Sequence, residues 1–586
     1  MNSGNKNSLY GNQHVLSTIR PKLSIRQLLI DFVIIAAFLG IFYAIWIGSH
    51  ALFTPDEGRY SEVAREMVAS HDYITPRLDG VAFLDKPALY YWLQASAIQL
   101  FGLKEWALRF WPATIGVLGC LMTYVAGHIL FNRRTAILAS IILATSPLYY
   151  GAAHYANLDL EVAVLISITL LFSLLGLTST AKRQRSCYFI FAYVFAGLAA
   201  LTKGLIGIAF PAIIIGLWIL LLNRWSILKQ MRILTGAVIF LAITVPWYFL
   251  VQKANPEFLH FFFVTQQVSR FLTAGEYNNK ASIWFYVPVV LAGFFPWSLF
   301  AIQAIAKQVK TAWNNRQQHV SELFVLLWFI VIFVFFSIPT SKTIGYIIPT
   351  LPALALMVGN YLDGHWENLK TKGFYAASWV FIALSIIICA AFLTAPHIAK
   401  LKIPTAAAPY LIFTAFAFLV AGIVTYVFLK KNALQKIIYC LASIAIIGLL
   451  TLSASTSVVN EKSIKPIAMA LKPQLTPNDD VVAYFHYYQD LPIYLERRVT
   501  IVADWTAPDI AQKDNWVREL WYGMPFQNTK DWLIGEEDFW QRWNSSKRMY
   551  VLINANGYNK FAEKAKNNIQ LVDQHNGVMV VTQNHA

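Results

Sequence analysis

Thr54-Pro55-Asp56-Glu57-Gly58-Arg59-Tyr60-Ser61-Glu62-Val63-Ala64-Arg65-Glu66-Met67 stands a few residues beyond an apolar run, residues 28–49, that is long enough to cross a bilayer. Charges this close to a membrane boundary are expensive unless they line a polar cavity or bind something ionic. Asp85-Lys86-Pro87 lies further along the same loop, again beside an apolar run. Proline disfavours helical geometry at Lys86 and can itself open the helix that follows. A loop that gathers carboxylates and cations against the membrane is a reasonable place to handle a lipid-linked phosphate.

The rest of the chain extends this membrane reading. Of 586 residues, 57% are hydrophobic and 13% charged, against about 25% charged in soluble domains. Apolar blocks recur at 28–49, 106–131, 135–154, 160–178, 187–202, 204–222, 233–251, 284–306, 320–338, 344–362, 374–394, 408–429 and 436–455. They define a polytopic α-helical membrane protein of about thirteen spans, the pair around Thr202-Lys203-Gly204 being nearly continuous. The net charge of +16 follows the positive-inside pattern and needs no nucleic acid. Arg133-Arg134, Lys182 to Arg185, Arg224 to Arg232, Lys307 to Arg316, Lys370 to Lys372 and Lys430-Lys431 fall on one side with residues 1–27. That side is the cytoplasm, and no small-residue cleavage site follows the first span, which is read as retained. Cys120, Cys187, Cys389 and Cys440 show neither metal-ligand spacing nor a disulfide framework.

On the outer side lie two long loops, 50–105 and 252–283, and everything after about residue 456. The first loop carries the acidic motif and an aromatic helix from Ala88 to Phe101. The second carries Glu257, His260, Gln266, Gln267, Arg270 and Lys280. Residues 456–586 have the composition of a small soluble α/β domain. Strands are expected at Val481–Phe485, Val499–Val502, Met549–Ile553 and Val578–Val581, with helices at Glu536–Trp543 and Asn559–Lys566. This domain shows no phosphate loop and no catalytic cluster, and reads as a cover or docking surface.

Asp56 and Asp159, at membrane boundaries on the outer face, are the candidate catalytic carboxylates. Glu57 and Glu62 are read equally well as residues favoured by a helix dipole in a first turn. Arg59, Lys86, Lys203, Arg270 and Lys342 put cations where the positive-inside rule expects few, and such groups grip phosphate oxygens. Tyr346 adds either a phenolic donor or a plain interfacial ring. Neither a Walker loop nor a cytoplasmic DxD pair is present, so an activated group would come from a lipid-linked phosphate.

These residues resemble a known family. Thr54 through Tyr60, Arg65-Glu66-Met67, Pro76-Arg77-Leu78-Asp79-Gly80 and Lys86-Pro87-Ala88-Leu89-Tyr90-Tyr91-Trp92 are similar to segments of the lipid A aminoarabinose transferases, polytopic glycosyltransferases of the GT-C type. Asn157-Leu158-Asp159, Thr202-Lys203-Gly204, Arg270-Phe271-Leu272, Trp284 through Pro288 and Ser341 through Pro349 extend the match in order. The resemblance implies transfer of a sugar from undecaprenyl phosphate to a lipid A phosphate, at the periplasmic face of a bacterial inner membrane. It implies Asp56 as the main catalytic carboxylate with Asp159 assisting, and Lys86, Arg270 and Tyr346 on the donor phosphate. It also points to a divalent metal at Asp85 and Gln267. The family usually carries Glu and His there, and Pro at Gly58 and Ala88, so the metal stays a candidate and an amino hexose stays as open as aminoarabinose. Two alternatives remain: a GT-C mannosyl- or hexosyltransferase acting on protein or another glycan, and a polyprenyl-lipid transporter. The clustering of charge on one face and the absence of repeats disfavour the transporter.

Overall fold

The computed structural model describes residues 25–269, 280–401, 403–460, 462–545 and 547–584. Every apolar block of the sequence becomes helix, but not every one becomes a straight span. Among the described residues, ten helices are long and apolar enough to cross a membrane. Two further blocks are bent pairs: Arg133–Ala144 with Pro147–Ala153 turns by 65°, and Tyr286–Gly293 with Ser298–Asn314 by 114°. Proline explains both interruptions, since neither Pro147 nor Pro296 can donate to the turn before it. The remaining block, Ile206–Leu222, is a shorter apolar helix. Among the described residues, the thirteen apolar blocks thus become ten long helices, two bent pairs and one shorter helix.

Local chemistry sets the ends that matter for the site. Gly204 adopts a positive φ of 80° and stops Lys182–Lys203, dividing the pair that the sequence leaves nearly continuous. Asn157 caps Leu158–Thr178 by accepting from the Asp159 backbone N–H at 2.9 Å. That helix is the axis of the bundle, 94% buried, whereas Ile25–Ala44 and Thr405–Lys430 are each 22% buried and stand at the periphery.

Beyond one end of the bundle, the segment after the first span forms helix Asp56–Ser70, a short hairpin pairing Arg77–Leu78 with Val81–Ala82, and helix Leu89–Phe101. The C-terminal part is a six-stranded sheet in the order 533–534, 500–502, 480–484, 549–554, 578–583, 569–575. The first four strands run parallel and the last two pair antiparallel. All four strands and both helices expected from sequence are present.

The C-terminal domain does more than cover the membrane part. Val63, Met67, Tyr90 and Tyr91 of the loop share one buried core with Tyr487, Leu491, Ile501 and Leu520 of the sheet domain. Gly58 lets the two parts close up: a Cβ there would stand 2.7 Å from the Asp490 nitrogen and 2.8 Å from the Gln489 carbonyl carbon. A separate docking surface is thus replaced by a continuous apolar contact.

Candidate active site

The entry to the site is fixed by a residue that does not face it. Glu57 is fully buried, and both its oxygens accept from Arg109 at 2.7 Å. It also accepts from the backbone N–H groups of Phe53, at 2.8 Å, and Ala156, at 2.7 Å. Arg109 spends its remaining donors on the carbonyls of Ile47, His50 and Ala51. Burial pushes the Glu57 carboxyl up, but the Arg109 guanidinium and these hydrogen bonds outweigh it and hold the group below the usual carboxylate range. This saturated knot ties the start of helix Asp56–Ser70 to the turn before Leu158 and leaves Asp56 facing open space.

That space is a polar cavity of about 530 Å³. Its cations among the described residues are Arg59, Lys86, Lys203 and Arg518. Asp56, Asp85, Asp159, Asp514 and Glu519 supply the carboxylates. Arg59 reaches Asp56 at 3.0 Å and Glu519 at 2.7 Å. Burial alone would lower the Arg59 pKa, but Glu519 and Asp56 reverse this and keep the guanidinium firmly charged. Lys203 pairs with Asp159 and lies 4.1 Å from the centre of the Tyr346 ring. Tyr346 thus meets Lys203 with its π face. Gly345 permits this approach, because a Cβ there would run into the Asp159 carboxylate. Lys86 donates to its neighbour's carbonyl, Asp85 O, at 3.2 Å.

A second cavity of about 750 Å³ adjoins the first, and both are lined by Asp56, Asn157, Asp159 and Thr343. Its walls are apolar, with Leu148, Leu160, Phe285 and Ile348, and Lys280 and Lys342 also line it.

Of the residues singled out from sequence, Asp56, Arg59, Asp85, Lys86, Asp159, Lys203 and Tyr346 line one cavity. Lys342 does not join them. It is 4% exposed, lines the neighbouring cavity, and donates to the carbonyls of Ala281, at 3.2 Å, and Pro339, while burial lowers its pKa. Arg270 lies outside the described residues, as does the side chain of Gln267. The residue that meets Asp85 is Gln266, whose amide donates to Oδ1 at 3.2 Å. One carboxylate receiving an amide N–H is a thin donor set for a divalent ion. Among the described residues, Asp85 joins no convergent group of three His, Cys, Asp or Glu side chains, so no step is routed through a metal.

Sequence reasoning missed Glu519, Asp514 and Arg518, which the C-terminal domain brings to the cavity wall. Their one signal is the pairing of Arg518-Glu519 within, and Asp514 just before, the aromatic segment Trp516–Tyr522. It also missed the convergence of Glu62, Glu66 and Asp79, all buried, within 4.8 Å of one another. Arg65 binds Glu62 through two bonds at 2.6 and 2.7 Å.

Comparison with known proteins gives these features a context. Residues 85–249 match the family described as dolichyl-phosphate-mannose-protein mannosyltransferase, and residues 467–583 match the aminoarabinose transferase C-terminal domain. The chain is 27% identical over 365 residues to undecaprenyl phosphate-alpha-4-amino-4-deoxy-L-arabinose arabinosyl transferase 2 of Proteus mirabilis, covering 62% of this chain and 64% of that relative. It is 30% identical over 347 residues to the arabinosyl transferase of Aeromonas hydrophila, covering 58% and 62% respectively. The sequence alignments with these two relatives thus span somewhat less than two-thirds of each relative's length. The structure superposes on the crystal structure of ArnT from Cupriavidus metallidurans bound to undecaprenyl phosphate with a TM-score of 0.81 and 27% identity, covering 94% of this chain and 97% of that one. An oligosaccharyltransferase of Archaeoglobus fulgidus, 13% identical with a TM-score of 0.50, shares the fold.

The architecture is therefore that of the GT-C membrane proteins: a polytopic helical bundle with a C-terminal α/β domain and a charged cavity at one end. Within that class, both matched domains, the sequence relatives and the superposition make the chain similar to the lipid A aminoarabinose transferases.

Proposed function

We propose that this protein is an inner-membrane glycosyltransferase that moves an amino sugar from undecaprenyl phosphate to a phosphate of lipid A at the periplasmic face. The observation that carries the reading is the meeting of two unlike cavities on Asp56 and Asp159. The polar one has the cations for a sugar-phosphate headgroup. The other, apolar-walled with two lysines in its lining, suits an amphipathic acceptor that carries phosphate. Residues 1–27 then lie in the cytoplasm, with loops 50–105 and 252–283 and residues 456–586 in the periplasm, an orientation supported by the basic loops on the opposite side.

The chemistry is a single displacement with inversion. An acceptor phosphate oxygen attacks the anomeric carbon as the bond from that carbon to the donor phosphate oxygen breaks. The electron pair leaves on undecaprenyl phosphate. Lys86, Lys203 and Arg59 stabilise the charge that accumulates there. Because the acceptor oxygen is already anionic, Asp56 orients the reacting groups rather than removing a proton. Lys203 releases Asp159 as the donor phosphate takes its place.

The match over residues 85–249 leaves a second reading, a hexosyltransferase acting on protein. Mass spectrometry of lipid A from cells with and without the gene separates the two. A gene-dependent mass increment on lipid A phosphate is expected. Unchanged lipid A together with loss of a glycoprotein signal would reverse the assignment.

A further inference from the structure

We propose that Glu519 of the C-terminal domain is a positioning residue for the donor site: it holds the Arg59 guanidinium across the polar cavity, so that the site is complete only with both parts of the chain in place. This rests on the cavity being the donor site, as argued above.

Arg59 is stretched between two carboxylates of different origin. Asp56, on its own helix, holds one terminal nitrogen at 3.0 Å, and Glu519 holds the other at 2.7 Å. The Arg59 side chain is 14% exposed, and its Nε has no hydrogen-bond partner among the described residues. With only Asp56 as partner, a flexible side chain would fold back along its own helix, as i,i+3 pairs do. Glu519 pulls it outward, into the space a headgroup phosphate would enter.

The helix that carries Glu519 is itself fixed. Asn515 caps Trp516–Trp521 by accepting from the Arg518 N–H, and Leu520 is buried in the core shared with the loop. Gly523 presses against the Ala82 carbonyl, and the Tyr522 ring meets Phe261 at 5.5 Å. Those contacts dock the domain without help from Glu519. Apolar contacts rather than the largely buried Arg59–Glu519 pair seat the domain, so the effect argued for the pair is the position of the guanidinium. Burial, with Asp85, Asp56 and Asp514 nearby, raises the Glu519 pKa, and Arg59 opposes the rise.

The test measures binding of undecaprenyl phosphate, and donor kinetics, on the full chain in detergent or nanodiscs. Glu519→Gln keeps the size and the hydrogen-bonding capacity. It should weaken undecaprenyl phosphate binding and raise the donor KM about tenfold, with a smaller change in kcat. Glu519→Asp should recover part of the loss. Combining Glu519→Gln with Arg59→Ala should cost no more than Arg59→Ala alone, because one residue acts through the other. Normal binding by Glu519→Gln, additive losses in the double variant, or release of the domain to protease in Glu519→Gln would each overturn the inference. If the wild type binds undecaprenyl phosphate but transfers no sugar, the functional reading fails while Glu519 is still judged by binding. If the wild type does not bind it, both fall.

Discussion

Asp56 and Glu57 are neighbours in one motif, and the structure gives them opposite environments. Asp56 is 35% exposed, has one charged partner among the described residues and opens on two cavities. Glu57 is fully enclosed and makes four hydrogen bonds, two of them to a buried arginine. The first arrangement leaves capacity for a ligand, and the second has none left. Adjacent carboxylates thus divide the work, one holding the scaffold and one available for chemistry.

Substitution should separate the two cleanly. Glu57→Gln breaks a buried pair and leaves Arg109 uncompensated, at a cost of about 3–5 kcal/mol. A sharp fall in thermal stability and in yield is expected. Asp56→Asn should leave thermal unfolding within about a degree of wild type, yet lower transfer on the order of 10²-fold through lost positioning of the reacting groups. Equal stability losses in both variants would erase the distinction.

Gly58, the next residue, tests how tightly the C-terminal domain is seated. A Cβ there meets backbone rather than a movable side chain, so Gly58→Ala should cost about 1–3 kcal/mol and expose the connection near residue 460 to protease. An unchanged digestion pattern would mean that the domain can shift without loss.

The far end of the same helix supplies the mildest contrast. Burial, and then repulsion from Glu62, raise the Glu66 carboxyl to about 8, while Arg65, Arg498 and the Gly80 N–H oppose the rise. The folded chain therefore keeps a proton that the unfolded chain releases near 4.5. The associated stability is complete below that lower value and is lost as pH climbs through about 8. Thermal unfolding followed from about pH 6 to about pH 9 should show this decline. Glu66→Gln should flatten it.

Much of this was legible in the chain because the bilayer imposes a length. Blocks of about 20 apolar residues mark helices whatever they pack against, and the strands at 480–484 and 549–554 announce themselves by short runs of Val, Leu, Ile and Tyr. The strand Ile569–His575 did not, because its sequence Ile-Gln-Leu-Val-Asp-Gln-His is that of a half-exposed edge. Leu533–Ile534 is too short to leave a pattern. The cavity lining was readable wherever a charge sat against an apolar block, as with Asp56, Lys86, Asp159 and Lys203. Glu519 sits in a soluble domain where charge is ordinary, so its setting in an aromatic segment did not single it out. Lys342 carried the same local signal as Lys203, yet its ammonium turns to backbone carbonyls. Sequence places a charge at a boundary but does not say which way it points.

Photolabelling would locate the donor headgroup. A prenyl phosphate with a photoreactive group on the isoprene unit nearest the phosphate should label peptides around Lys86, Lys203 and Tyr346. Excess undecaprenyl phosphate should suppress that labelling. Competed labelling confined to the opposite end of the bundle, or to the C-terminal sheet away from Trp516–Tyr522, would contradict a donor site at this cavity.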